Sequence, residues 1–304
     1  MVEKMFDLKG IIPPLVTPFD ESGAVCYRDF ESNFDKYLES GITGFLVLGS
    51  NGESVYLEQA EKLKLIEAAR KRAPSSTMLL AGTGEESTPA TIELTRQAAD
   101  RGADGVLVKN PCYYKGMMSF DVTFAHFAAI ADASPVPVVL YNVPAFTRIS
   151  MEARLIIELA KHPNVRGLKE SAGNVQLISE VTWATDERHF STVAGAAQTL
   201  FPNMTAGARG AIAALVCAAP GALLSLYRAF LKGDYQRAAT IQRIIAPAAN
   251  AVTGKYGIPG LKAAMALEGF RSGLPRRPLL PLGKKECENL AQIFLEMNRE
   301  LAEL

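Results

Sequence analysis

The stretch PVVLYNVPAFTRISMEARLIIELAKHPNVRGLKES, residues 137–171, contains two strand-like runs separated by a segment with helical spacing. The first run, PVVLYNVP (137–144), is rich in β-branched residues and shows no alternation with charged residues. Such runs are typical of parallel strands that are buried on both faces. The stretch therefore predicts a strand, a helix over 151–161, and a second strand at VRGLKES (165–171) parallel to the first.

Similar runs lie on both sides of this unit and bring the predicted strands to eight. The further runs are GIIPPLVTPF (10–19), GFLVLG (44–49), TMLLAGTG (77–84), GVLVKN (105–110), FSTVAG (190–195) and GAIAALV (210–216). The segments between them have amphipathic spacing, which predicts helices. These helices are expected over 28–40, 56–72, 87–100, 119–132 and 173–184.

Eight strand–helix units favour a closed (β/α)8 TIM barrel, an α/β fold that typically needs roughly 250 residues. The alternative is an open, doubly wound sheet, in which G-x-G-x-x-G usually follows the first strand. Here that position reads TPFDESG (17–23). We therefore predict the barrel.

No strand pattern follows residue 220. The remaining segments have helical spacing, apart from the Pro- and Gly-rich stretch GFRSGLPRRPLLPLG (269–283), which predicts a loop between helices. We therefore divide the chain into a barrel over residues 1–220 and a C-terminal helical extension over residues 221–304 that packs on the barrel.

The composition narrows the class of protein. Lys plus Arg and Asp plus Glu both number 32, so the chain lacks the basic excess of a nucleic-acid-binding protein. The four cysteines form no C-x-x-C pair and the three histidines form no H-x-x-x-H pair. These spacings argue against a disulfide scaffold and against a metal site, and they fit a reduced compartment.

The sequence also carries no sign of a membrane or an export route. No apolar run reaches the roughly 18 residues that a membrane-spanning helix needs. The start, MVEKMFDLKG (1–10), has neither the apolar core of a secretory signal nor the arginines of a transit peptide. A cytoplasmic protein without membrane contact is expected.

Barrel enzymes carry their active sites at the carboxyl ends of the strands, and the sixth strand carries Lys169. Burial makes the ammonium form of a lysine costly. A neutral amine in a dry site can attack a ketone and form a Schiff base. The alternative interpretation is a lysine whose amine reaches water at the strand end.

Two further elements support the first interpretation. Tyr141 lies near the end of the neighbouring strand, where a phenol could pass protons, although it could also be an ordinary core tyrosine. The turn Gly49–Glu53 has glycines beside Ser50 and Asn51, whose two amides could bind a carboxylate. It could equally be an ordinary turn, and Glu53 is expected to shape it in either case.

Other conspicuous residues near the strand ends have less specific interpretations. Tyr113 and Tyr114, on the loop after the fourth strand, could form a partner surface or supply a catalytic group. Cys112 has no histidine near it in sequence and is expected to be structural. Glu170 points to the opposite face from Lys169 and is expected to be structural or to form a salt bridge.

Five motifs of the chain are found together in a known family. They are GSNGES (49–54), NPCYYKG (110–116), VVLYNVP (138–144), GLKES (167–171) and GIPGLK (257–262). Together they resemble the dihydrodipicolinate synthase / N-acetylneuraminate lyase family of class I pyruvate aldolases. The resemblance covers nearly the whole chain. It implies a (β/α)8 barrel with three C-terminal helices, a Schiff-base lysine acting on pyruvate or another 2-keto acid, and a homotetramer built from tight dimers.

The resemblance also implies roles for single residues. Lys169 matches the Schiff-base lysine and Tyr141 the tyrosine that shuttles protons. Ser50 and Asn51 match the residues that bind the substrate carboxylate and join the hydroxyl relay. Tyr113, rather than Tyr114, matches by its spacing to Tyr141 the tyrosine that reaches across the tight dimer. Two further positions match the lining of the pyruvate pocket, Gly195 and Ile212.

Departures from the family pattern indicate the subfamily. Dihydrodipicolinate synthases have a sequence similar to GTTGE at the turn and an arginine two residues after the VP dipeptide. This chain has GSNGE at the turn and Phe146 at the position of that arginine. N-acetylneuraminate lyases tend to show GSTGE. The combination of PCYY, SPVPVVLYNVPA (134–145) and RGLKES is most similar to 4-hydroxy-2-oxoglutarate aldolases, which release pyruvate and glyoxylate.

That similarity implies a metal-free, cofactor-free lyase. Lys169 would attack the C2 ketone and Tyr141 would take the proton of the C4 hydroxyl as the C3–C4 bond breaks. Arg148 and Ser171 are candidates to bind the second carboxylate, although Arg148 could equally be a solvated loop charge.

Three alternative functions stay open. The first is 4-hydroxy-tetrahydrodipicolinate synthase, which joins pyruvate to aspartate semialdehyde. The second is another family aldolase or dehydratase acting on deoxy-sugar acids. The third is a non-catalytic member that binds a keto acid.

Overall fold

The computed structural model describes residues 6–304, and these contain eight parallel strands in one sheet. The strands are β1 (Gly10–Ile11), β2 (Gly44–Val47), β3 (Met78–Gly82), β4 (Gly105–Lys109), β5 (Val138–Asn142), β6 (Val165–Glu170), β7 (Ser191–Ala194) and β8 (Gly210–Ala211). Their spatial order is β1-β8-β7-β6-β5-β4-β3-β2, and a parallel bridge from Pro14 to Leu46 joins the two ends. The sheet is a nearly closed barrel, so the predicted fold class is confirmed.

One or two helices follow each of the eight strands, as expected. They are α1 (Tyr27–Ser40), α2 (Gln59–Arg72), α3 (Thr88–Asp100), α4 (Phe120–Ala133), α5 (Pro144–Thr147), α6 (Ala153–Leu159), α7 (Val175–Ala184), α8 (Leu200–Thr205) and α9 (Leu215–Ala218). The predicted start of α3 is confirmed, because the Ser87 hydroxyl accepts a hydrogen bond from the Ala90 N–H at 3.3 Å and Pro89 lies in the first turn.

β1 and β8 are much shorter than their predicted runs, 10–19 and 210–216. Pro13 and Pro14 have no N–H to donate to a neighbouring strand, and β1 ends before them. After β8 the alanine-rich chain turns into α9, since alanine favours a helix over a strand.

The strands are apolar throughout because both faces of the barrel wall are buried. Alternate residues of β4 show this, since Leu107 belongs to the cluster inside the barrel and Val106 to the larger core beneath the helices. The inner cluster consists of Leu8, Ile12, Leu46, Leu80, Leu107, Val139, Tyr141, Val143, Val193 and Ile212. These side chains fill the barrel below the site.

The C-terminal part is helical, as predicted. It contains α10 (Pro220–Leu231), α11 (Tyr235–Asn250), α12 (Gly257–Leu267) and α13 (Lys284–Ala302), with a π-helical turn at Ala251–Lys255. The predicted loop 269–283 separates α12 from α13. Leu223 and Leu226 of α10 belong to the same core as the barrel helices. The division of the chain after residue 220 stays a prediction.

Within residues 6–304, every helix is too short or too polar to cross a membrane. The prediction that the chain begins without a signal or transit peptide rests partly on residues 1–5, which lie outside the described residues.

Candidate active site

Lys169 and Tyr141 are direct neighbours in the barrel wall. The pairing of β5 with β6 aligns their Cα atoms, after a register shift between Val138 and Val139 that leaves Arg166 unpaired. Lys169 is only 3% exposed, and its Nζ lies 4.3 Å from the centroid of the Tyr141 ring. The amine therefore points into the barrel beneath the phenol and not into bulk solvent.

The surroundings of the Lys169 amine leave it open to a substrate. No carboxylate of residues 6–304 forms an ion pair with Nζ, and none of their acceptors hydrogen-bonds to it. Cys217 is buried near the amine and donates to the Pro14 carbonyl at 3.1 Å. Burial raises the pKa of this thiol, and the charge of Lys169 opposes the rise only in part.

Glu170 points to the other face of β6, as predicted, and it is fully buried. Its carboxylate accepts hydrogen bonds from the Asn142 side chain at 3.0 Å and from the N–H groups of Ala172 and Asn174 at 2.8 and 2.9 Å. Burial raises the pKa of Glu170, although these hydrogen bonds oppose the rise. It is a structural residue held by hydrogen bonds rather than by a salt bridge.

The Ser50–Asn51 turn lies beside Tyr141. The Ser50 hydroxyl is 3.3 Å from the Tyr141 phenol oxygen, so the two groups form a hydroxyl pair at the mouth of the barrel. Residues Ser50–Gly52 form one 3₁₀ turn, and the N–H groups of Ser50 and Asn51 meet no protein acceptor among residues 6–304. Two adjacent unpaired N–H groups are suited to an anion such as a carboxylate.

Glu53 fixes this turn by a mechanism that the sequence did not reveal. The residue adopts a left-handed conformation, with φ 53°, and its side chain is buried. Its Oε1 forms an ion pair with Lys262 Nζ at 2.6 Å, and its Oε2 accepts from the Arg276 N–H at 2.8 Å. The turn is therefore held by α12 and by the loop that follows it.

The buried ammonium of Lys262 has three oxygen partners among residues 6–304. Besides Glu53, its ammonium donates to the carbonyls of Thr17 at 2.8 Å and Leu274 at 2.6 Å. Burial lowers the pKa of Lys262 to about 8, and the charge of Glu53 opposes that shift. The lysine within the apolar segment GLKAAMALEGF (260–270) was the available sequence signal for this pair.

Ser171 and Gly195 face each other at the ends of β6 and β7. A Cβ at Gly195 would lie 1.8 Å from the Ser171 Oγ, so any larger residue there requires Ser171 to move. The Ser171 hydroxyl is buried and has no hydrogen-bond partner in the part of the chain that is described. An unpaired buried hydroxyl is free to bind a polar substrate atom. Ile212 lies in the barrel interior, fully buried.

Arg148 is not gathered into this cluster. It caps α5 in a left-handed conformation, with φ 57°, and its side chain is exposed. Its guanidinium forms no hydrogen bond or ion pair with residues 6–304. Phe146, on the same short helix, is 61% exposed.

Tyr113 also makes no hydrogen bond to Lys169, Tyr141 or Ser50 of its own chain. Tyr113 and Tyr114 are 79% and 69% exposed, and their rings contact each other edge to face at 5.0 Å between centroids. Neither phenol hydrogen-bonds to residues 6–304. Within one chain, Tyr113 is therefore not part of the Lys169 site.

A cavity of about 220 Å³ opens above the hydroxyl pair and is lined by Ser50 and Tyr141. Four charged residues also line it, and the sequence reasoning missed them all. Lys62 pairs with Glu85 at 2.5 Å and Lys109 with Glu86 at 2.8 Å. Among residues 6–304, no group of three or more His, Cys, Asp or Glu side chains is placed to hold a metal ion.

The chain is similar to known proteins over nearly its full length. A model of the dihydrodipicolinate synthetase family matches residues 7–297. A 4-hydroxy-tetrahydrodipicolinate synthase from Exiguobacterium sp. is 34% identical, over 95% of this chain and 98% of that protein.

Solved structures show the same fold. The 4-hydroxy-tetrahydrodipicolinate synthase of Methylacidiphilum fumariolicum superposes with a TM-score of 0.92 at 27% identity, over 98% of each chain. A prophage protein of the dihydrodipicolinic acid synthase family from E. coli, solved in complex with pyruvate, superposes with a TM-score of 0.89 at 28% identity, over 96% of this chain and 99% of that chain.

Proposed function

Because the chain belongs to the dihydrodipicolinate synthetase family, we propose that Lys169 forms a Schiff base with pyruvate and that the enzyme makes or breaks a bond between pyruvate C3 and an aldehyde carbon. Members of the family are carbon–carbon lyases of the pyruvate-dependent aldolase type, and this chain is such an enzyme. The observation that carries the proposal is the buried, unpaired amine of Lys169 beneath Tyr141, whose phenol meets the Ser50 hydroxyl.

The proposed reaction gives each of these groups a defined role. The N–H groups of Ser50 and Asn51 bind the pyruvate carboxylate, and the Lys169 amine adds to the C2 carbonyl. Tyr141 protonates the resulting hydroxyl, which leaves as water, and the iminium forms. The Tyr141 phenolate takes a C3 proton from the iminium to give an enamine, the enamine attacks the aldehyde carbon, and Tyr141 returns the proton to the new alkoxide. Water then hydrolyses the product iminium, Tyr141 takes the proton of the attacking water, and the Lys169 amine is freed. Cleavage runs through the same steps in reverse.

Ser171 and Gly195 are proposed to bind the part of the substrate beyond C3. The Ser171 hydroxyl is unpaired and buried, and the missing side chain at Gly195 leaves room beside it. Ile212 forms part of the apolar floor beneath them. Arg148 is exposed, and it can contribute only if the loop that carries it moves toward the site.

The relatives support aspartate semialdehyde as the first candidate for the aldehyde. Both the curated relative and the solved structure with the highest superposition score reported above are 4-hydroxy-tetrahydrodipicolinate synthases. The relatives therefore support the condensation of pyruvate with aspartate semialdehyde. The sequence motifs of this chain, in contrast, are more similar to those of enzymes that release glyoxylate.

One observation keeps the cleavage of 4-hydroxy-2-oxoglutarate as a second candidate. Phe146 occupies the position at which the resemblance places an arginine that grips the aldehyde substrate, and it is largely exposed on α5. A phenyl ring cannot form the bidentate hydrogen bonds that an arginine offers to a carboxylate. Aspartate semialdehyde would then need another partner for its carboxylate.

Two measurements test the proposal. Borohydride reduction with pyruvate should add the mass of the reduced pyruvate adduct to Lys169 in the native chain and not in Lys169→Ala. An unlabelled Lys169 would leave only the keto-acid-binding alternative. A panel of 4-hydroxy-2-oxoglutarate, aspartate semialdehyde with pyruvate, and deoxy-sugar acids then assigns the aldehyde by the highest kcat/KM.

The assembly is proposed on the resemblance, and the location on the cysteine pattern. A homotetramer built from tight dimers would let the exposed Tyr113 of one protomer reach the site of its partner. A cytoplasmic location fits the separated cysteines, all four of which are free. Sedimentation at several protein concentrations tests the assembly.

A further inference from the structure

The loop that carries Tyr113 is held by a single carboxylate. Glu86, on the loop after β3, accepts hydrogen bonds from the N–H groups of Cys112 and Tyr113 at 2.8 and 2.9 Å through Oε2. Its Oε1 accepts from Lys109 Nζ at 2.8 Å and from the Cys112 thiol at 3.3 Å. Four donors from the end of β4 and the following loop therefore converge on one side chain.

No other acceptor among residues 6–304 serves the Cys112 and Tyr113 N–H groups. The next backbone hydrogen bonds of this loop begin at the Tyr114 carbonyl, which accepts from Met117. Loss of the Glu86 carboxylate would thus free the backbone at Tyr113 without breaking a helix or a strand.

Lys109 connects the Glu86 carboxylate to the mouth of the barrel beside Tyr141. It is the last residue of β4, its Cα is paired with that of Tyr141, and both side chains line the same cavity. Gly84 allows the Glu86 loop to come this close, since a Cβ there would lie 2.7 Å from the Lys109 backbone nitrogen. Glu86 is therefore placed by the same strands that place Tyr141.

We propose that Glu86 is a positioning residue, which holds Tyr113 so that its phenol completes the proton relay in the site of a second copy of this chain. The inference rests on the proposed function, and in particular on the role of Tyr113 across a dimer. In this proposal Glu86 itself makes no contact with a reacting atom. It acts through the backbone of Tyr113, whose exposed phenol forms no hydrogen bond with residues 6–304.

The first test is a double-mutant cycle. We expect Glu86→Ala to lower kcat about 10- to 100-fold with little change in the KM for pyruvate, because a displaced catalytic group slows the chemistry more than binding. Tyr113→Phe should have a similar or larger effect. The double variant should be no slower than Tyr113→Phe alone, because Glu86 acts only through that residue. Independent, multiplying losses would overturn the inference.

Two further variants separate positioning from other roles of Glu86. Glu86→Gln keeps an acceptor oxygen for the two N–H groups but loses the charge, so it should retain most of the activity that Glu86→Ala loses. Equal losses in the two variants would assign an electrostatic role instead. Glu93→Ala, which removes an exposed carboxylate on α3 that accepts only from Gln97, is the surface control.

A mixed oligomer tests whether the effect crosses the interface. Chains carrying Lys169→Ala and chains carrying Glu86→Ala are purified together on two different tags. One site in the mixed dimer then has an intact Lys169 and receives Tyr113 from a chain with an intact Glu86. Recovery of activity above that of either parent supports the inference, and no recovery overturns it.

Failure of the inference and failure of the proposed function give different results. Loss of borohydride labelling at Lys169 in the native chain would remove the Schiff-base mechanism itself. Normal labelling with full activity in Tyr113→Phe would remove only the role of Tyr113, and the role of Glu86 with it.

Discussion

Lys262 and Glu53 form an ion pair of 2.6 Å in which the two side chains are 2% and 1% exposed. Glu53 ends the turn that presents the Ser50 and Asn51 N–H groups, and Lys262 belongs to α12. The pair therefore connects the Ser50–Asn51 turn, which we propose binds the pyruvate carboxylate, to the C-terminal helices.

Removal of one partner should be far more costly than removal of both. Lys262→Met leaves the Glu53 charge buried without a counter-ion, which we expect to lower the free energy of unfolding by about 3–5 kcal/mol. The double variant Glu53→Gln/Lys262→Met should be more stable than the single one. Urea unfolding measures the free energy of unfolding of Lys262→Met, of Glu53→Gln and of the double variant. A double variant whose loss equals the sum of the losses in the two single variants would show that the pair is not coupled.

The same pair should also control pyruvate binding. A loosened turn presents the Ser50 and Asn51 N–H groups poorly, so the surviving folded fraction of Lys262→Met should have a raised KM for pyruvate. Its kcat should change less, since Lys169 and Tyr141 lie on other strands. A variant with an unchanged KM would contradict this function of the pair.

His126 should make the protein less stable in mild acid. It lies buried on α4, where its Nδ1 is 2.8 Å from the Thr88 hydroxyl. Burial, aided by the nearby charge of Lys109, lowers its pKa from 6.5 to about 4. Between these values the unfolded chain binds a proton that the folded chain excludes, so stability falls by about 3 kcal/mol as the pH drops from about 6.5 to about 4.

His126→Gln should flatten this dependence, which urea unfolding at about pH 7 and about pH 5 can measure. Glu86 does not obscure the result. Partial burial raises the pKa of Glu86, but its hydrogen bonds from Lys109, Tyr113 and Cys112 outweigh that effect and lower it to about 2. Its contribution is therefore lost only as the pH falls below about 4.5. An equally steep loss in His126→Gln between the two pH values would contradict the assignment.

Gly195→Ala should close the substrate site without unfolding the barrel. The added methyl group would lie 1.8 Å from the Ser171 Oγ and 2.9 Å from the Glu170 carbonyl oxygen, so the serine must rotate toward the substrate space. We expect strongly reduced labelling of Lys169 by pyruvate and borohydride. Gly221→Ala is the matched control, since its Cβ would meet no atom within 4 Å. Normal labelling of Gly195→Ala would place the substrate elsewhere.

Ser50 and Tyr141 should behave as one unit in catalysis. Tyr141→Phe should lower kcat by about 10²- to 10⁴-fold, the range for a general acid–base group. Ser50→Ala should cost less, because the phenol remains. In the double variant the loss should approach that of Tyr141→Phe alone, since the hydroxyls are in contact at 3.3 Å. Steady-state kinetics at saturating pyruvate measures each value, and fully multiplying effects would separate the two residues.

The local sequence pattern was sufficient to predict the barrel and to single out Lys169 and Tyr141 at the centre of the candidate site. The apolar runs and their spacing predict all eight strands, because a wall buried on both faces leaves a signature in every strand. Lys169 and Tyr141 stood out because a lysine and a phenol interrupt such apolar strands near their carboxyl ends, where barrel enzymes carry their active sites. The turn from Gly49 to Glu53 was visible through its glycines.

The contacts that hold the site in place depend on the folded chain. Glu53 and the Arg276 N–H are separated by 223 residues, and Thr17 and Lys262 by 245, so no local period relates them. Glu86 meets the Tyr113 loop only because β3 and β4 are neighbours in the barrel. A hydrogen bond is set by distance in space, whereas a sequence pattern records only distance along the chain. For that reason the residues proposed to react could be predicted from the sequence, and the contacts that position them required the tertiary structure.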